Sequence, residues 1–121
     1  MAACDVFTSP ADNVINLEVD SSDGSQVLVI TSQRFTVGVT QDGLQLFNLL
    51  ESDTAWVDTP YQKTFKVSGS DAGIGGFYAQ AAASENPDAV VSMRVVLDGK
   101  EAYSDQTVLT GDGLRYYYRR Y

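Results

Sequence analysis

Three pairs of aspartates are close enough in the sequence to suggest carboxylate chemistry: Asp20 and Asp23, Asp53 and Asp58, and Asp105 and Asp112. Paired carboxylates serve as acid and base in glycoside hydrolysis, and they bind calcium when further oxygen ligands follow at set positions. None of the pairs has the spacing of an EF-hand loop. Aspartate also caps tight bends through its side chain. We therefore interpret the pairs as turn residues and predict no metal site.

The residues needed for other common reactions are missing from the sequence. The chain contains no histidine, which removes the commonest general base and the commonest zinc ligand. There is no Gly-x-Ser-x-Gly motif to carry an activated serine. Gly73-Ile-Gly-Gly76 is not followed by the Gly-Lys-Ser/Thr of a phosphate-binding loop. We therefore predict a protein that is not an enzyme and has no cofactor.

Aromatic residues are the candidates for a binding surface. The stretch 115–121 is rich in tyrosine and arginine, and on a strand Tyr116 and Tyr118 share one face while the first two arginines share the other. Trp56 follows a polar segment and is the single tryptophan. Such side chains are enriched in binding hot spots, and their rings can stack on sugars. The alternative, which we favour, places the two tyrosines and Trp56 in the core and pairs the arginines with acidic residues.

The first four residues, Met-Ala-Ala-Cys, resemble the end of a bacterial lipoprotein signal peptide, where small residues precede the cysteine that is lipidated. This resemblance predicts lipid attachment at Cys4, a flexible tether over residues 1–12 and an extracytoplasmic, membrane-anchored position in a bacterial cell envelope. A cysteine modified with diacylglycerol carries more than one acyl chain, which suffices for stable anchoring. The alternative is an ordinary start with a free thiol near the N-terminus.

Length and charge limit the possible partners. The chain has 121 residues, enough for one domain with one core, and a formal net charge of −8. Binding to nucleic acid depends on basic residues that displace counterions, so nucleic acid is excluded as a partner. Anionic lipid head groups are excluded as electrostatic partners for the same reason, and a lipid on Cys4 remains the only predicted membrane contact. With one cysteine, the chain forms no internal disulfide.

Alternation of apolar and polar residues predicts short β-strands along residues 13–121. Asp98-Gly99 predicts a type I′ turn between two antiparallel strands, because both positions need a positive φ. The strand before this turn has one apolar face, formed by Val91, Met93, Val95 and Leu97. The other predicted strands are 13–19, 26–31, 34–40, 54–57, 61–67, 77–83 and 114–121, and 105–113 is interpreted as a turn-rich segment.

The segment 44–50 is ambiguous between a short helix and a strand, because its apolar positions fit both periods. We favour a strand or an irregular crossover, since the neighbouring segments are all β. Turn signals about every 8 to 12 residues then predict one antiparallel β-sandwich domain over residues 13–121, immunoglobulin-like in class.

Three stretches in order, 52–67, 77–81 and 91–102, resemble the extracytoplasmic domain of MmpS-type proteins, with the Asp98-Gly99-Lys100 hairpin as the shared motif. Those proteins are small β-sandwich accessories of RND-type lipid exporters. The resemblance implies a sandwich fold, an envelope location and a role beside a membrane transport complex.

These observations predict a non-enzymatic binding or accessory domain of a bacterial envelope lipoprotein. Its expected partner is an envelope protein or a lipid-handling complex. Two other classes stay open. One is a structural subunit of a phage or virion assembly, which would keep Met1 as its start. The other is a carbohydrate-binding module that uses Trp56 or the face of Tyr116 and Tyr118.

Overall fold

The computed structural model describes residues 13–67 and 75–119, and within these ranges the regular elements are eight β-strands. The predicted tether over residues 1–12, with Cys4, lies outside the described residues. The strands, in chain order, are β1 (Asn13–Ser21), β2 (Val27–Val39), β3 (Gln45–Val57), β4 (Tyr61–Val67), β5 (Gly75–Ser84), β6 (Val90–Leu97), β7 (Lys100–Val108) and β8 (Leu114–Arg119).

The strands form two four-stranded antiparallel sheets, one in the order β4-β1-β6-β7 and the other in the order β3-β2-β5-β8. The predicted antiparallel β-sandwich is confirmed. In an immunoglobulin domain, strand B lies between A and E, and C lies beside F and G on the other sheet. If β1 is taken as strand B, then β4 has the place of E in the same sheet. In the other sheet, β3, β2, β5 and β8 have the places of C′, C, F and G, in that order. The place of strand A is taken by β6, which comes late in the chain.

The core lies between the two sheets and is built from the alternate residues of each strand. The predicted inward face of β6 is confirmed, since Val91, Met93 and Val95 are fully buried. Their partners on the neighbouring strand and on the opposing sheet are also buried: Ile15, Leu17, Val19, Val27, Val29, Phe77, Ala79 and Ala81. Small alanines on β5 accept the larger aliphatic side chains of the facing sheet, which explains an alanine run in a strand.

The hairpin between β6 and β7 turns at Asp98 and Gly99, whose φ angles are 51° and 82°. Both values are positive, as a type I′ turn requires, so the predicted turn is confirmed. The Asp98 carboxylate also accepts hydrogen bonds from the Val14 amide at 2.9 Å and from the Asn13 side chain at 2.7 Å. The turn residue therefore also ties the start of β1 to the sheet.

The sequence patterns divided the chain too finely in two places and ended one strand too early. β2 joins the predicted strands 26–31 and 34–40, and β3 joins the segment 44–50 to 54–57. The ambiguous segment is thus a strand. The pattern breaks near residue 32 because β-bulges shift the pairing of β2 with β3 and β5 at this point, and a bulge reverses the alternation of faces. β7 also runs to Val108, inside the stretch interpreted as turn-rich.

The Ser32 side chain holds the bulge. Ser32 is 4% exposed, and its hydroxyl contacts the Glu51 carbonyl of β3, lies 2.9 Å from the Arg34 carbonyl and accepts from the Arg34 amide at 3.2 Å. A bulge leaves backbone groups without ladder partners, and these groups cost free energy when they are buried. The serine hydroxyl accepts from the Arg34 amide and donates its single proton to one of the two carbonyls within reach.

Beyond the bulge, the hairpin of β2 and β3 folds back over the outer face of its own sheet. β3 and β8 are opposite edges of that sheet, so in a flat sheet they would be roughly 14 Å apart. The ring centroids of Phe47 on β3 and Tyr117 on β8 are only 5.1 Å apart. Gln45 also donates to the Tyr117 hydroxyl at 3.2 Å. We call this segment, residues 35–50, the folded-back arm.

The contact between the folded-back arm and the sheet forms a second, aromatic core. Phe35 is fully buried, and its ring centroid lies 5.8 Å from that of Tyr78 on β5. Phe47 packs on the same Tyr78 ring at 5.1 Å. Arg115 and Arg119 of β8 lie over the rings of Phe47 and Phe35, at 4.7 and 5.7 Å from the centroids. One face of the arm is therefore fixed by ring contacts and cation–π interactions.

Candidate functional site

The outward face of the folded-back arm exposes large apolar side chains. Leu44, Leu46 and Leu50 are 64%, 58% and 50% exposed. Val39 at the end of β2 is also exposed, but it pairs with Gln45, whose side chain reaches Tyr117, so it lies on the inner side of the arm. Exposed apolar residues are ordinary when they are scattered, whereas a contiguous group marks an interaction surface. Elsewhere in the described ranges, the exposed aliphatic residues are Val14 and the cross-strand pair Val90 and Val108 on the other sheet, and all three are less exposed than the leucines of the arm. The arm is therefore the candidate site.

The shape of the outward face follows from the pairing of β2 with β3. Leu46 pairs with Gly38, and Asn48 pairs with Thr36. At both levels the side chain on β3 is longer than its partner on β2, so the β3 side of the face projects further outward. Nothing lies within 4 Å of the position that a Cβ atom on Gly38 would occupy. Leu46 thus stands beside an open space. Between Phe35 and Leu50 the only charged residue is Asp42, in the turn at the tip.

Trp56 is half exposed, so it does not belong to the core, where our interpretation had placed it. It lies on β3 near the opposite end from the arm and pairs with Leu28 of β2. β3 is an edge strand, so no neighbour covers the ring from the far side. An exposed indole on a sheet face can stack on a flat apolar ligand surface.

Tyr116 and Tyr118, which share one face of β8, are turned towards the core, as our interpretation placed them. Both pack against the core between the sheets. The Tyr118 hydroxyl donates to the Asn13 side chain at 3.1 Å, and the Tyr116 ring lies 5.8 Å from that of Tyr103. The face that could stack on a sugar is therefore turned inward.

The other face of β8 is covered by the folded-back arm, as its ring contacts show. Arg115 also forms an ion pair with Asp112 at 3.0 Å. The pairing of an arginine with an acidic residue was the expected alternative to a binding role, and Arg115 fits it. Within the part of the basic and aromatic strip that the structure describes, residues 115–119, this face is thus an internal support for the arm.

The aspartate pairs do not assemble into a carboxylate site. Asp23 does act in a turn: it accepts hydrogen bonds from the Ser21 hydroxyl at 2.8 Å, the Ser25 amide at 3.0 Å and the Asn86 side chain at 2.6 Å. Hydrogen bonds from Ser25, Asn86 and Ser21 hold the pKa of Asp23 well below its usual range. Three others lie in strands rather than in turns, which corrects our interpretation: Asp20, Asp53 and Asp105.

A cleft of about 410 Å³ opens beside the bulge, between the edge strands of the two sheets. Phe65 and Phe77 form its apolar part, and Glu51, Asp53 and Lys63 lie at its polar walls. Lys63 is placed over the Phe65 ring, 5.1 Å from the centroid. Within residues 13–67 and 75–119, no group of three or more acidic, cysteine or histidine side chains could hold a metal ion.

Buried tyrosines make stability sensitive to alkaline pH. Burial raises the pKa of Tyr78, with Arg115 offsetting part of the rise, and burial also raises the pKa of Tyr116. A raised folded-state pKa means that stability is complete below the unfolded pKa of about 10 and is lost as the pH rises through the folded pKa. We expect the urea concentration at the unfolding midpoint to decrease as the pH is raised from about 9 to about 11. The fluorescence of Trp56 measures the transition. Tyr78→Phe should lessen this fall, and an unchanged midpoint up to pH 11 would contradict the expectation.

No helix in the described part of the chain is long and apolar enough to cross a membrane. Comparison of the protein with family models, with curated proteins and with solved structures finds no significant match. The leucines of the arm were not singled out as site residues from the sequence. The available signal was a segment that is apolar at both odd and even positions, Leu44 to Leu50, since one set packs inward and the other stays exposed.

Proposed function

We propose that this domain is a non-enzymatic binding module that docks onto another protein through the outward face of the folded-back arm. The observation that carries the proposal is the exposure of Leu44, Leu46 and Leu50 on a segment whose only charge is Asp42. Interface centres are poor in charged residues and rich in apolar contact. The inner face of the arm is fixed by aromatic packing, so the outer face is already held in place. Binding therefore loses little conformational entropy from ordering the arm.

Our proposal places this module in a bacterial cell envelope, held by a lipid on Cys4 and serving a membrane transport or lipid-handling complex. Its support is the sequence Met1-Ala2-Ala3-Cys4 and the similarity of the 91–102 hairpin to MmpS-type domains. The mass of the intact protein from its native gene tests the anchor. A species that begins at Cys4 and carries diacylglycerol is the expected result. A soluble species with an unmodified thiol would remove the anchor and favour the structural-subunit class.

Site-specific photo-crosslinking in the native cells tests the docking surface. A benzophenone amino acid replaces Leu46 in one variant and Ser104 in a control variant. Ser104 is exposed and pairs with Arg94 on the other sheet, so it reports chance encounters. We expect discrete protein adducts from position 46 and not from position 104. Equal labelling at the two positions, or no adduct at either, would refute docking through the arm.

A second candidate function, carbohydrate binding, rests on Trp56 alone, because Tyr116 and Tyr118 face the core. Its half-exposed indole on a sheet face fits stacking against a sugar ring. Titration with envelope polysaccharides should then change the intensity and wavelength of the single tryptophan's fluorescence, and Trp56→Ala should abolish binding. A spectrum that does not respond to any of these sugars counts against this candidate.

A further inference from the structure

We infer that the partner on the outward face of the arm is a second copy of this chain, related by a two-fold axis that runs along the length of the arm. This inference rests on the proposed function, because it takes the arm to be the binding surface. The argument has three steps: the shape of the face, its charges and its size.

The shape of the face is self-complementary. The axis runs parallel to the strands and lies between the outward faces of the two copies. A rotation of 180° about it places β3 of one copy opposite β2 of the other and leaves each residue at the same position along the strand direction. Leu46 and Gly38 are cross-strand partners at one level. The operation therefore sets Leu46 of each copy over Gly38 of the other. Because the space above Gly38 is open to at least 4 Å around a built Cβ atom, it can accept the leucine side chain. Such a contact is isologous, with both copies using the same patch.

The charges of the face are compatible with this pairing. Asp42 at the tip is the only charge between Phe35 and Leu50. At the base, Arg34 of β2 pairs in register with Glu51 of β3. The rotation places Arg34 of each copy opposite Glu51 of the other. The interface therefore brings together two pairs of opposite charges. The net charge of −8 on each copy still opposes association at long range, and this repulsion weakens as salt shortens the Debye length.

The size of the face predicts a weak dimer. The arm has five register pairs, from Phe35 with Leu49 to Val39 with Gln45. At about 3.4 Å for each pair and two strands wide, this gives a footprint of roughly 17 by 10 Å. Stable interfaces bury about 800 Å² per partner. We therefore expect a dissociation constant in the range of about 10 µM to about 1 mM, with tighter association at higher salt.

Sedimentation equilibrium of the purified domain over about 10 µM to about 1 mM, at low and high salt, tests the inference. Two variants address the contact itself. Leu46→Ser removes the inserted side chain, and Gly38→Gln fills the receiving space. Both positions are exposed and Gly38 is not among the residues with positive φ, so both variants should fold normally. Each should raise the dissociation constant at least about tenfold. The control Val108→Ser removes an exposed valine from the other sheet and should leave it unchanged.

Three outcomes would overturn the inference. A wild-type chain that stays monomeric at about 1 mM and high salt excludes the dimer. Dimerisation that Leu46→Ser and Gly38→Gln leave intact places the interface elsewhere. Association that weakens with added salt would mean that ionic pairs, and not the apolar contact of Leu46 with Gly38, dominate the interface, which contradicts the inference. The crosslinked adduct at position 46 separates the two proposals: an adduct of twice the chain mass supports the second copy, and an adduct of another mass refutes it while leaving docking through the arm standing.

Discussion

Replacing Phe35 with alanine should release the folded-back arm and cost about 3–5 kcal/mol in the free energy of unfolding. Phe35 is fully buried, and its ring packs on Tyr78 and Tyr117 while Arg119 lies over it. The substitution leaves a cavity in a small aromatic core, in which Phe47 is then the remaining ring of the arm that packs on Tyr78 and Tyr117. Since domains of this kind are stable by only about 5–15 kcal/mol, the loss should be large in urea denaturation.

A local readout distinguishes release of the arm from general unfolding. In hydrogen exchange, the amides of residues 35–50 should lose protection in Phe35→Ala, while those of β1 and β6 should keep theirs. Phe35→Leu is the conservative variant if Phe35→Ala does not fold, and it should show the same pattern at lower amplitude. Leu46→Ser lies on the same arm but faces outward, so it should change neither stability nor exchange. Equal loss of protection in the arm and in β1 would mean that the aromatic cluster is not a separate unit.

Most of the strands and the β-sandwich class could be predicted from the sequence because they depend on local signals, whereas the order of the strands in each sheet could not. Alternation in 61–67 and 91–97 identifies half-buried strands, and Asp98-Gly99 specifies its own turn. These features use two or three neighbouring residues and need no knowledge of distant contacts. The same reasoning placed Tyr116 and Tyr118 on one face and the arginines on the other, which the structure confirms.

The arm could not be predicted because its position depends on contacts between residues far apart in the chain. Gln45 and Tyr117 are separated by 72 residues, and nothing near either one indicates that they meet. The bulge at Ser32 also reverses the alternation, so β2 was interpreted as two strands. Without the bend, Leu44, Leu46 and Leu50 are simply apolar residues of an ambiguous segment. The bend makes them a surface, since it presses the opposite face of the arm onto Tyr78 and Tyr117.

The arm also explains why arginines and tyrosines are concentrated at the C-terminus of an acidic chain. On an open sheet face they would form a basic and aromatic surface that attracts ligands. Here Arg115 and Arg119 lie over the rings of the arm, and the Tyr117 hydroxyl on the same face of β8 accepts a hydrogen bond from the Gln45 side chain. The residues that looked most like a binding site thus support the segment that presents the actual candidate.

A single methyl group on Gly113 should destabilise the domain by roughly 2–6 kcal/mol, since two costs add. Gly113 has a φ of +70°, which strains any L-residue, and a Cβ atom there would overlap the Ala81 carbonyl of β5. That carbonyl lies in the buried sheet and cannot move without disturbing the pairing of Ala81 with Leu114. Thermal or urea denaturation of Gly113→Ala measures the loss.

The same turn offers a matched control, Gly111→Ala. Gly111 has a similar φ of +59°, but nothing lies within 4 Å of its built Cβ atom. This variant should therefore show only the backbone cost of about 1–2 kcal/mol. The difference between the two variants isolates the collision with Ala81 from the strain in φ. If both variants lose equal stability, β8 does not approach β5 as closely as the structure places it. The position of Tyr117 under the arm, which depends on that close pairing, would then also be wrong.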